Sequence, residues 1–332
     1  MKNNRLILIG AIAGMLAACT APATPSITAP ASPSTAPASP SAAPTPSITE
    51  PASREISRAN AGKVDRDVTY CNAEGVALKM DIYYPQKSDG KPAPVAVYVH
   101  GGGWTSGDKA GGAGMTETPE LLARGYLVAA VNYRLAPQYK FPAAIQDVKC
   151  AIRFLRANAA KYNLDPNRIG AWGGSAGGHL VALLGTSDAS AGLEGSGGYA
   201  EQSSRVQAVV DMFGPADFTG DYIPASSRLM QNVFGATNEN AAVIAARYSP
   251  TTYISKEDPP FLIMHGDQDE VVPLSQSQIL LEKLVAGGVN ATLVVVQNAG
   301  HSFSRAGGTI SPSRAEITRM VADFFDQQLK GK

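Results

Sequence analysis

Residues 168–185 constrain this chain more tightly than any other stretch. The apolar run Arg168-Ile169-Gly170-Ala171-Trp172 leads into Gly173-Gly174-Ser175-Ala176-Gly177-Gly178, and His179-Leu180 opens a second apolar run. A strand that reverses sharply into a helix needs residues without side chains at the crossing, because a Cβ would strike neighbouring backbone. A serine at the tip of such a turn presents its hydroxyl to a base, which makes a weak nucleophile usable. The segment predicts strand, turn and helix, with Ser175 as candidate nucleophile.

The remaining pattern supplies a scaffold for that turn. Leu78, Met80, Ile82 and Tyr84 alternate with other residues ahead of Pro85, which predicts an early edge strand or hairpin. Valine-rich runs at 95–99 and 126–131 suit central strands covered on both faces. Residues 143–162 carry Ile145, Val148, Ile152, Phe154 and Leu155 at helical spacing, after Phe141-Pro142 and before Asp165-Pro166. Further strands are expected at 169–172, 206–212, 261–264 and 292–296, with helices at 175–185, 276–286 and 314–329. Alternating strands and helices predict an α/β fold with a mostly parallel central sheet and helices on both faces. Ligand chemistry then belongs at the carboxyl ends of the strands. Residues 217–253 break the alternation and predict a small cap insertion over part of the site.

The N-terminus reads differently. Lys2 and Arg5 precede or flank an apolar stretch, 6–18, that ends in Leu16-Ala17-Ala18-Cys19. It falls short of the about 20 residues a membrane span needs, so it predicts a cleaved signal over 1–18. The pattern resembles a bacterial lipoprotein signal, which implies Cys19 as the lipidated first residue. An ordinary secretory signal with an incidental cysteine is the other reading, and both carry the protein out of the cytoplasm. Residues 20–49 use only Ala, Pro, Thr, Ser and Ile. They offer no apolar face to bury, so 19–57 is expected to be an extended tether, its 20–49 stretch alone reaching up to roughly 90 Å at about 3.1 Å per residue. The catalytic body is then 58–332. Lys and Arg number 28 and Asp and Glu number 28, which gives no electrostatic reason for nucleic acid or a strongly charged substrate. Membrane contact rests on the N-terminal lipid anchor. Cys71 and Cys150 are read as free core thiols, with a disulfide as the alternative that spacing does not decide.

Four motifs carry chemistry. His100-Gly101-Gly102-Gly103-Trp104 follows the strand at 95–99, and its glycines let backbone N–H groups approach a ligand. A phosphate loop is a rival reading, since Gly102 and Gly107 have the spacing of GxxxxGK, but Asp108 stands where a lysine is required. Trp104 is a candidate pocket residue, with a core role as the alternative. Among His100, His179, His265 and His301, only His301 follows a late strand on a loop able to bring a base to Ser175. His265-Gly266-Asp267-Gln268-Asp269 offers two carboxylates to orient that base, and Asp211 is a third candidate at another strand end. No metal or organic cofactor is expected, because the histidines are scattered and neither HExxH nor clustered cysteines occur.

In this order the motifs resemble the α/β-hydrolase superfamily, especially its feruloyl-esterase-like and hormone-sensitive-lipase-like esterases, over roughly 68–330. The resemblance implies Ser175, Asp269 and His301 as a catalytic triad, with Asp267 as a turn former. It implies an oxyanion hole from the N–H groups of Gly101, Gly102 and Ala176. Gly174 is a departure: hormone-sensitive-lipase relatives usually place an acid there, and its absence moves the chain toward the feruloyl-esterase-like and kynurenine-formamidase-like branches. Asn132-Tyr133-Arg134-Leu135-Ala136-Pro137 also matches, and Arg134 and Asp147 are expected to brace the oxyanion loop. The expected activity is hydrolysis of small or short-chain acyl esters through an acyl-enzyme. An amidase, formamidase or acyl-peptide hydrolase using the same triad is the alternative, and a non-catalytic surface binding module the remote one.

Overall fold

The computed structural model describes residues 61–331, apart from 88–89, 221 and 224–226. The expected signal at 1–18, Cys19 and the tether at 19–57 lie outside the described residues. Runs of valine without polar interruption can be covered on both sides only inside a sheet, and they occupy its middle. The strands are β1 (Ala61–Ala73), β2 (Val76–Pro85), β3 (Ala93–Val99), β4 (Leu127–Val131), β5 (Leu164–Gly174), β6 (Ala208–Met212), β7 (Phe261–Gly266) and β8 (Ala291–Val296). They pair in the order β1-β2-β4-β3-β5-β6-β7-β8. The β1/β2 and β2/β4 pairs are antiparallel, and every pair from β4 to β8 is parallel.

The helices are α1 (Thr118–Ala123), α2 (Ala143–Ala157), α3 (Ala159–Tyr162), α4 (Ala176–Thr186), α5 (Arg228–Phe234), α6 (Ala241–Tyr248), α7 (Ser275–Ala286) and α8 (Arg314–Lys330). Alternation along β3 sorts the core into two layers. Val95, Val97 and Val99 share one apolar cluster with Ile145 and Val148 of α2, Leu180 of α4 and Leu280 of α7. Ala96 and Tyr98 share the other with Leu121 of α1 and Val321 and Phe325 of α8. The result is the expected architecture, a mostly parallel sheet between two helical layers.

Three details differ from expectation. The early strand β2 is interior, and the edge belongs to β1, whose three register shifts and largely exposed residues hide it from any period-2 pattern. The hairpin itself is present, turning at Glu74 (φ +51°) and Gly75 (φ +79°). The helix expected over 143–162 breaks at Asn158, where both the backbone N–H and the Nδ2 of Asn158 donate to Phe154 O at 3.0 and 2.9 Å. Finally, Cys71 on β1 and Cys150 on α2 form a disulfide with Cα atoms 6.4 Å apart, which corrects the free-thiol reading. The unforeseen strand brings Cys71 under α2. Residues 217–253 contain the short helices α5 and α6, outside the sheet.

Candidate active site

The site is built around the crossing of β5 into α4. Ser175 holds φ +57° and ψ −123°, a conformation that a non-glycine residue keeps only when its surroundings enforce it. Its N–H donates to Met212 O at 2.9 Å, and its carbonyl accepts from His179 N–H at 3.0 Å. A Cβ on Gly177 would lie 2.1 Å from Val99 O, and one on Gly173 would lie 2.6 Å from the same oxygen. The first turn of α4 therefore presses on the end of β3, and only glycine permits that approach. The following loop is drawn in with it: a Cβ on Gly101 would sit 2.8 Å from Gly174 O and 3.4 Å from Ser175 Cβ.

That loop runs through Gly102 (φ +112°), Gly103 (φ +59°) and Trp104 (φ +60°). Among the described residues, no hydrogen bond takes up the Gly101 or Gly102 N–H. Ala176 opens α4, where first-turn N–H groups lack helical acceptors and the helix dipole favours negative charge. His100 stacks on Tyr133 with centroids 4.2 Å apart, and its Nδ1 lies 2.7 Å from Gly101 O. Burial lowers its pKa. Behind the loop, Arg134 Nε and Nη2 each donate to Asp147 at 2.8–3.1 Å, and Arg134 N–H donates to Asp147 Oδ2 at 2.8 Å, all of it buried.

The structure brings Ser175, His301 and Asp269 together. His301 Nε2 lies 3.0 Å from Ser175 Oγ, and His301 Nδ1 lies 2.7 Å from Asp269 Oδ2. A carboxylate can only accept, so Nδ1 carries the proton and Nε2 is left to accept from the serine hydroxyl. Burial raises the Asp269 pKa, but hydrogen bonds from His265, His301 and the Val272 and Val271 N–H groups outweigh it and hold the carboxyl well below its ordinary range. Asp267 is turned elsewhere and accepts from Ala299 N–H at 3.1 Å. Asp211 is fully buried, accepts from Gly214 N–H at 3.0 Å and leaves Oδ2 without a partner. Burial pushes its pKa up to about 7, against the pull of His265 and the Gly214 bond.

Two neighbours of the triad were not anticipated. His265 Nε2, bonded to Val272 O at 2.8 Å, also lies 3.4 Å from Asp269 Oδ2. The spacing of His265 and Asp269 was the available signal. Phe213 packs edge-on to His301 with centroids 5.0 Å apart, and its ring would meet a Cβ on Gly174 at 2.8 Å. The glycine where an acid was looked for thus makes room for an aromatic wall behind the imidazole. Trp104 is corrected from pocket to core: it is 4% exposed, and its Nε1–H donates to His179 Nδ1 at 3.1 Å. With the indole buried, away from water, its N–H is satisfied by that acceptor. Among the described residues, no group of three or more His, Cys, Asp or Glu side chains is disposed to hold a metal ion.

The BD-FAE family model matches residues 80–284. Esterase LipC of Mycobacterium tuberculosis is 32% identical over 256 residues, covering 76% of this chain and 62% of that protein's own length. Among solved structures, a truncated carbohydrate esterase from gut microbiota superposes with a TM-score of 0.70 at 30% identity, covering 82% of this chain and 98% of that one. Thermogutta terrifontis esterase 2 phosphonylated by sarin superposes with a TM-score of 0.66 at 27% identity, covering 82% of this chain and 95% of that one.

Proposed function

This chain belongs to the BD-FAE family, and from that premise we propose that it is a serine carboxylic-ester hydrolase acting through an acyl-enzyme on short-chain acyl esters. The observation that carries the reading is the Ser175–His301–Asp269 array, with hydrogen-bond distances of 3.0 and 2.7 Å, at a turn whose serine has φ +57°. His301 Nε2 takes the Ser175 proton as Oγ attacks the ester carbonyl. Asp269 keeps Nδ1 protonated and faces the imidazolium that forms. The N–H groups of Gly101, Gly102 and Ala176 receive the oxyanion, each such donor contributing about 3 kcal/mol of barrier lowering. His301 then protonates the leaving alcohol, and water activated by the same base releases the acid.

The sequence ahead of the catalytic body supports export and anchoring: cleavage before Cys19 would leave that residue to carry lipid, with 19–57 as spacer. The Cys71–Cys150 disulfide fits an oxidising compartment. Incorporation of a palmitate analogue that persists in Cys19→Ala would sink the anchoring.

The catalytic reading is tested with a fluorophosphonate probe and a matched pair of substrates, a short acyl ester and its anilide. Stoichiometric labelling at Ser175 and faster ester turnover are expected. Faster anilide turnover would make the protein an amidase, and no labelling with no turnover would leave a binding module on a hydrolase fold.

A further inference from the structure

We infer that His179 is a positioning residue, a neutral imidazole that locks the Gly101 and Gly102 donor loop, together with the 217–253 insertion, onto the helix that carries Ser175. The inference rests on the function proposed above and names a component that the triad does not include. His179 lies one turn beyond Ser175 on α4 and is fully buried. Its Nδ1 accepts from Trp104 Nε1–H at 3.1 Å, and its Nε2 lies 2.7 Å from the carbonyl of Tyr248, the last residue of α6. An indole nitrogen only donates and a carbonyl only accepts, so Nδ1 is bare and Nε2 holds the proton. The neighbours leave no choice of tautomer. One ring thus joins three separate stretches of chain: the donor loop, the nucleophile helix and the insertion.

The surroundings reinforce the connection. Phe141, Phe218 and Phe234 pack on the imidazole with centroids 5.6, 5.1 and 6.2 Å away, and Phe218 and Phe234 come from the insertion. Burial lowers the His179 pKa to about 4, against the pull of the Tyr248 carbonyl, and no charged side chain among the described residues contributes. Trp104 follows Gly103 directly, in a loop whose residues 102–104 all have positive φ. Such a path has no strand or helix ladder; Trp104 O accepts from Ala136 N–H at 2.9 Å and Gly102 O from the Thr105 and Ser106 N–H groups at 3.1 Å, and the buried indole N–H makes the hydrogen bond that ties the loop to α4. Displacing catalytic donors by about 1 Å costs on the order of a hundredfold in rate, which makes an anchor of this kind consequential.

The test measures kcat per fluorophosphonate-titrated site, and KM, for a short acyl ester in wild type, His179→Phe, Trp104→Phe, the double variant and His179→Gln. Phenylalanine keeps ring volume but strands the indole N–H and the Tyr248 carbonyl. We expect kcat to fall about tenfold to a hundredfold in either single variant with KM little moved. The double variant should be no worse than the weaker single, because each removes the same bond. Glutamine supplies one acceptor and one donor and should recover most of kcat. A residue that only filled the core would lower thermal stability, leave kcat per titrated site intact and give additive losses.

A His179→Phe protein with kcat within about twofold of wild type overturns the inference, as do additive losses in the cycle. If His179→Phe does not fold, wild-type kcat in Trp104→Phe overturns it equally. A wild type that neither hydrolyses the ester nor takes up the probe removes the proposed function and this inference with it. An active wild type with unaffected variants removes this inference alone.

Discussion

His301 and His179 both stand against the turn that carries Ser175, and their surroundings differ in the two respects that decide whether an imidazole can cycle its charge. His301 keeps a side chain 20% exposed and directs Nδ1 at the Asp269 carboxylate. His179 is fully buried and faces only an indole N–H and a backbone carbonyl, with its pKa pushed down to about 4 by that burial. A cation at the first position meets a formal negative charge; at the second it would lose a hydrogen bond and find no counter-charge. Residue type and proximity to the nucleophile therefore do not identify a base. A charged partner and a route for protons do.

The widest gap between the two histidines should appear in turnover. Ser175→Ala and His301→Ala are each expected to lose on the order of 10⁶ in kcat, and Asp269→Asn about 10⁴, against the far smaller loss at His179. Single-turnover assays would break the contrast if His301→Ala kept activity comparable to His179→Phe.

The next effect is on stability against pH. The folded pKa of His179, about 4, lies below its ordinary 6.5, so the unfolded chain binds the proton first. Its contribution is whole above pH 6.5 and is lost as pH falls to about 4, roughly 3 kcal/mol at most. Asp211 shifts the opposite way, so the measurement is the difference in urea unfolding between wild type and His179→Phe across that window. Wild type should lose more on acidification, and parallel curves would count against a neutral buried ring.

A smaller effect belongs to the wall behind His301. Gly174→Ala places a Cβ 2.8 Å from two atoms of the Phe213 ring, whose far edge can yield. A loss of about 1–2 kcal/mol and a few-fold drop in kcat are expected, read from unfolding midpoints and initial rates. Unchanged kcat would show that Phe213 does not steady the base.

Central strands were legible because 95–99 and 261–264 are unbroken apolar runs, and two covered faces leave no other reading. The chain order of Ser175, Asp269 and His301 was equally legible, since each follows a strand with its own local motif. Asp267 and Asp269 follow the same strand, so chain order alone does not choose between them; the family resemblance points to Asp269, which lies on His301, while Asp267 accepts from Ala299 N–H. Strand β1 was hidden by its register shifts, and α1 by its brevity. The bond from Trp104 to His179 spans 75 positions and joins residues whose types say nothing of one another. Pairings of that kind are products of the fold, as is the bridge between Cys71 and Cys150.

That bridge divides the chain as a circuit. Cys71 and Cys150 are 79 positions apart, and the covalent ring they close contains β3, β4 and the loop from His100 to Trp104, while Ser175, Asp269 and His301 all lie outside it. Gly101 and Gly102 thus lie inside the ring, while Ala176, the third proposed oxyanion donor, lies outside it with Ser175. A single peptide-bond cut anywhere inside the ring leaves one covalent molecule, whereas a cut between Cys150 and Ser175 parts Gly101 and Gly102 from Ser175, Asp269 and His301.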